Sequence, residues 1–166
     1  EDFAKGVTED TECLWNADYQ ELKVQLGELT RYYEAHLNEA GKLTREVFIL
    51  SAGLGARWTL KYPGEFQATI KALVLAALRK YPVPVFRALA RRIRTPFNQK
   101  EKNAGQLQNL KDAVLEILWD YLQGLAVVPQ EMGKDIRELI WRHYPKANNR
   151  PHTRWLIAHI LEKVKQ

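Results

Sequence analysis

Apolar residues recur at helical spacing along almost the whole chain, and this constrains the fold more than any other feature of the sequence. From Trp15 they run through Tyr19, Leu22, Leu26, Leu29, Tyr33 and Leu37 in steps of four and three, the stripe of an amphipathic helix. Its end is expected near Gly41, a residue suited to a C-cap, with Thr44 capping a second helix that Gly53 and Gly55 break or bend. Pro63-Gly64 opens a third helix with Phe66, Ile70, Leu73, Ala77 and Tyr81 on one face. Pro82 and Pro84 stop it, and Pro84 fits the first turn of a short fourth helix ending before Pro96. A fifth carries Leu107, Leu110, Val114, Ile117 and Tyr121 up to Gly124, and a sixth carries Ile136, Leu139, Ile140 and His143 before Pro145. The last runs from Pro151 to Val164, with Trp155, Ala158 and Leu161 read as its apolar face and Trp141 and Trp155 as core residues. The best strand candidate, Ala126-Val127-Val128, is too short and ends in Pro129. The expectation is an all-α, single-domain bundle of six or seven helices with no sheet. Residues 1–12 form an acidic tail or arm, and residues 97–105 a polar internal loop.

A chain of 166 residues is long enough for one such core and short for two. A single cysteine, Cys13, excludes an intramolecular disulfide and a multi-cysteine zinc site. The longest apolar run, Ala72 to Leu78, is too short to span a bilayer. Glu1, Asp2, Glu9, Asp10 and Glu12 stand where a secretion signal would be apolar. These features point to an intracellular, soluble protein without a membrane partner.

Charge is segregated along the chain, and this bears on partners rather than on fold. Residues 1–41 hold 10 acids and 3 bases, residues 42–100 hold 12 bases and only Glu46 and Glu65 as acids, and residues 101–166 are near balance. The sharpest local feature is PVFRALARRIR, which puts Arg87, Arg91 and Arg94 at i, i+4 and i+7, within about 60° of one another on a helix. Arg92 lies among them, and Arg79 and Lys80 close the preceding helix. No acid stands between Glu65 and Glu101, so these cations lack a local carboxylate. The planar guanidinium grips two phosphate oxygens at once, so the pattern points to a phosphate backbone.

A second basic stretch, WRHYPKANNRPHTRW, supplies Arg142, Lys146, Arg150 and Arg154 without an acid, interleaved with Trp141, Tyr144 and Trp155. Cations alternating with rings suit single strands, where bases stack and phosphates pair. A helix-turn-helix fitted to LTREVFILSAGLGARWTLKY would set Thr44 against Gly53 and place Arg57 and Lys61 on the reading helix. Ile49 stands where the helices should cross on a small residue, and Gly55 opens the second helix, so the motif is a poor fit.

Three of the four histidines follow an arginine by five or six residues: Arg31 and His36, Arg137 and His143, Arg154 and His159. The spacing resembles the Arg-x4–6-His element of HEPN-type ribonucleases, and the resemblance implies an all-helical domain that cleaves RNA without metal across a dimer. The polar residue that often follows the family's arginine is replaced here by Tyr32, Glu138 and Trp155. No HExxH, phosphate-loop or other cofactor motif occurs, and GLG at 53–55 lacks the phosphate-loop spacing. The sequence therefore predicts a non-enzymatic protein with no cofactor and no metal. It binds RNA or single strands through phosphates as part of an oligomeric or nucleoprotein assembly. The HEPN-like ribonuclease and a helical protein-interaction module stand as alternatives. The binding residues expected are Arg79, Lys80, Arg87, Arg91, Arg92, Arg94, Arg142, Lys146, Arg150 and Arg154.

Overall fold

In a computed structural model of the chain, the described residues are 19–36, 38–50, 63–94, 106–145 and 149–165. They form seven helices and no strand. These are α1 Tyr19–Ala35, α2 Ala40–Leu50, α3 Pro63–Lys80, α4 Pro82–Arg94, α5 Gln106–Gln123, α6 Gln130–His143 and α7 Pro151–Lys165. The all-α bundle expected from periodicity is the fold observed. Residues 1–12 and 97–105, Gly53, Gly55, Arg57 and Lys61 lie outside the described residues.

Proline places the sharpest boundary. Tyr81 alone separates α3 from α4: its amide donates to Ala77 O at 2.8 Å, and its carbonyl accepts from Val85 N at 3.1 Å. Pro82 and Pro84 sit in the first turn of α4, where a missing amide hydrogen costs nothing. The first junction differs from expectation. The chain leaves α1 at His36, not Gly41, through a turn closed by His36 N to Tyr33 O and Glu39 N to His36 O, both 3.1 Å. His36 Nδ1 also bonds the Glu39 carboxylate across this turn. Gly41 is thus the second residue of α2, and Thr44 is no cap: its hydroxyl donates to Ala40 O one turn back at 2.7 Å.

Helix α5 lies at the centre, against α3, α4 and α7. Leu110, Val114, Leu115, Leu118 and Leu122 are fully buried on it, and Ala113, Ile117 and Tyr121 nearly so. On one side α2 packs on α3 and α4, and α1 packs on α3; on the other α6 packs on α7 and α4. In α7 the core stripe is Thr153, Leu156, Ile160 and Val164. Trp155 is 48% exposed and Trp141, on α6, 81% exposed, so neither is the core residue expected. Both helices meet the bundle along a face that leaves these rings outside.

Polar contacts fix the C-terminal helices to α5. Lys111 Nζ donates to His143 O at 2.7 Å, placing a cation at the carbonyl end of α6 where the helix dipole favours it. Burial pushes the Lys111 ammonium below its usual range, against the opposing pull of Asp112. Tyr144 Oη donates to Lys111 O at 2.8 Å, and Asn149 Nδ2 to Tyr144 O at 3.0 Å, so the end of α6 is tied both to α5 and to the residue that leads into α7. Burial, reinforced by Asp112, holds the Tyr144 phenol well above its usual range and keeps it a donor. Asp112 then accepts from the buried Thr153 hydroxyl at 2.6 Å, from Gln108 Nε2 at 2.9 Å and from Arg150 at 3.3 Å. Asp112→Ala is expected to destabilise the fold by about 1–3 kcal/mol in urea titrations, because it strands the Thr153 hydroxyl in the core. Thr153→Val, which removes donor and hydroxyl together, should cost less.

Candidate functional site

Where α4 and α6 face each other, with Thr44 of α2 at one end, the surface opens into a groove of about 680 Å³. Arg87, Arg91 and Arg94 line one wall, and Asp135, Glu138, Arg142 and His143 the other. The groove follows from the packing of α4. Val85, Phe86, Ala88, Leu89, Arg92 and Ile93 turn inward, so the arginines at 87, 91 and 94 emerge together on the opposite side. Among the described residues, Arg87 and Arg94 make no hydrogen bond or ion pair. Arg142 is held by Glu138 at 3.0 Å, an exposed pair of the kind worth little in water. Four arginines against two carboxylates leave the groove net positive.

The structure thus joins the two basic stretches at one place, Arg142 meeting the arginines of α4. It separates the other expected binding residues. Arg92 is fully buried and makes its polar contacts within the protein, so it leaves the phosphate-facing set. The physical reason is register: Arg92 follows Val85, Ala88 and Leu89 along the core stripe. Arg150, half exposed, is engaged by Asn109 Oδ1 at 2.9 Å and Asp112 at 3.3 Å on α5 and does not line the groove. Arg79 and Lys80 are exposed at the far end of α4 from Arg94, about 18 Å along its axis, and do not line the groove. Arg154 is exposed on α7, and Lys146 lies outside the described residues.

The three arginine–histidine spacings fall at separate places, on α1 and its C-terminal turn, on α6 and on α7. His36 is bonded to Glu39, and His159 Nδ1 lies 2.8 Å from Trp155 O. Arg137 reaches Val164 O at 3.5 Å on the α7 side of its helix, whereas His143 faces the groove. His143 is the histidine that sequence spacing did not single out as a groove residue. Burial lowers its affinity for a proton, and Lys111, Arg94 and Arg142 lower it further. A second, smaller cavity of about 290 Å³ lies between α3, α5 and the start of α7. There Glu116 binds both Lys71 and His152, the latter at 3.1 Å. No group of three or more potential metal ligands occurs among the described residues, and no helix there is long and apolar enough to cross a membrane. Compared with protein-family models, curated proteins and solved structures, the chain matches none.

The displaced proton affinity of His143 sets a pH dependence. An imidazole that titrates below the ordinary value of about 6.5 when folded, but near it when unfolded, binds protons preferentially in the unfolded chain. Stability is therefore expected to fall as pH drops through and below about 6.5, and His143→Gln should remove that increment in urea titrations at pH 7.5 and 5. An anion seated among the arginines reverses the sign of the local field. Inorganic polyphosphate is accordingly expected to move the His143 titration, followed by NMR, to higher pH.

Proposed function

We propose that this protein binds nucleic acid, RNA or single strands, by gripping the phosphate backbone in the groove between α4 and α6. The observation that carries the reading is the convergence of Arg87, Arg91, Arg94 and Arg142 on one open groove in which Arg87 and Arg94 are unengaged among the described residues. Phosphates spaced along a strand match cations repeated each turn along a helix, and arginine holds each with two parallel bonds. The exposed Trp141, next in sequence to Arg142, supports single strands over duplex, since an aromatic face gains by stacking on an unpaired base. The acidic N-terminal third supports assembly. Acidic surface of one copy against basic surface of another is a head-to-tail contact, which builds rings or filaments along a polyanion.

A second reading draws on His143. An imidazole kept neutral beside arginines is a base placed against a phosphodiester, as metal-independent RNA cleavage requires. RNA that shortens on incubation, and survives with His143→Ala, would make the protein a ribonuclease. Intact RNA keeps it a binding protein.

Reversing Arg87, Arg91 and Arg94 together to Glu is expected to abolish binding to labelled single-stranded RNA while the circular dichroism stays helical, because the three point away from the core. If four arginines each neutralise one phosphate, log affinity should fall against log salt with a slope of about −3, at about 0.7 per phosphate for single strands. A triple variant that stays helical and binds as before would remove the groove from the mechanism.

A further inference from the structure

The groove between α4 and α6 also holds unpaired charge of the opposite sign. On α6 it is lined by Asp135, Glu138, Arg142 and His143, at i, i+3, i+7 and i+8, one face of the helix. Glu138 is engaged by Arg142 at 3.0 Å. Asp135, half-buried, makes no hydrogen bond or ion pair among the described residues. It lines the same groove as Arg87 and Arg94, which are equally unengaged there. Carboxylate and guanidinium thus face one open space without meeting. Phe86, Ala88 and Leu139 also line the groove and, being nearly buried, form its apolar floor. Its volume of about 680 Å³ falls within the range of small-molecule sites, about 300–1,000 Å³.

We propose that Asp135 makes the groove selective for guanine in the strand it binds. This rests on the phosphate-gripping function proposed above and adds the base that the groove reads. A carboxylate only accepts hydrogen bonds, through two oxygens side by side. Guanine offers two adjacent donors on its pairing edge, the N1–H and the N2 amino group, and meets both oxygens at once. Adenine and cytosine set a ring-nitrogen acceptor beside their amino group, and uracil sets a carbonyl on each side of its N–H. Those acceptors are repelled by the carboxylate. A single strand leaves the pairing edge free to be read. The parts of a nucleotide therefore have counterparts in one groove: arginines for the phosphate, an apolar floor for the flat ring, and Asp135 for its edge. Against any other base the same carboxylate only weakens anion binding, so it discriminates by repulsion as well as by contact.

The experiment uses the whole chain at low salt with three labelled single-stranded RNAs of one length. One is all uridine, one has guanosines spaced among the uridines, and one has inosine, which lacks the N2 amino group, at each guanosine. The guanosine strand is expected to bind at least about fivefold more tightly than the uridine strand, the lower end for a bidentate base contact, with the inosine strand between them. Asp135→Ala, with circular dichroism still helical, should abolish that order while strengthening the all-uridine complex, because the repulsion is gone. A carboxylate that only repels would strengthen all three complexes alike and keep their order. That result, or wild-type protein with no preference, overturns the proposal and leaves the arginine groove standing. Guanosine monophosphate and uridine monophosphate at millimolar concentration, followed by NMR of the groove residues, separate this reading from strand binding. If no strand binds, shifts caused by the guanine nucleotide, absent with the uracil nucleotide and lost in Asp135→Ala, uphold the guanine site and overturn strand binding. If no strand binds and no such shifts occur, both are overturned.

Discussion

The burial of α5 on nearly every side governs the rest of the molecule. Leu110, Val114, Leu115, Leu118 and Leu122 are fully enclosed, so three neighbouring helices must pack around one axis. Toward α3, α6 and α7, α5 presents the polar groups Asn109, Lys111, Asp112 and Glu116. Where such groups are partly buried, an unmatched one costs more than the pair gains. The partners come from long range: Thr153, Arg150 and His152 at the start of α7, Lys71 on α3, and the carbonyl end of α6. These same groups therefore decide how α6 and α7 sit.

That choice redistributes charge. Arg150 and His152, from the second basic stretch, are drawn onto the carboxylates of α5, while Arg142 stays on the outer face of α6. Helix α4 meets the core through Val85, Phe86, Leu89 and Ile93, which leaves Arg87, Arg91 and Arg94 along the groove. Part of the second basic stretch is engaged by α5, whereas Arg87, Arg91 and Arg94 of the first line the groove. Charge counted along a sequence cannot separate these outcomes, because it depends on which acids the folded chain brings within reach.

Much of the fold was legible in local chemistry. The prolines at 82 and 84 placed the α3–α4 junction, and the apolar spacing from Leu107 to Tyr121 marked α5. Gly41 and Thr44 misled because His36 and Glu39 close the first turn earlier, through backbone bonds that no single residue type announces. Arg92 differs: its spacing from Val85 and Leu89 lies on the core stripe, and position outweighs residue type there. Trp155 shows the converse. Leu156, Ile160 and Val164 trace an equally good stripe one residue on, and a tryptophan's area drew the apolar face to the wrong side. The stack of Trp155 on His159 follows from helical spacing, but the edge contacts of Trp119 with both depend on the packing of α5 against α7.

The two carboxylates inside the groove limit how it can act. Glu138 already holds Arg142, so a phosphate reaching that arginine must displace or share an existing partner. An exposed pair of this kind is worth at most about 1 kcal/mol, so displacement is easy, but it cancels part of what each phosphate contact contributes. Asp135 and Glu138 also repel any anion that does not reach the arginines of α4 at the same time. Under the proposed function, a lone phosphate gains little from this groove, whereas a strand that reaches several of its arginines gains at each. A groove built in this way favours repeated charge over single charge, the physical property that separates a polymer backbone from a small anion.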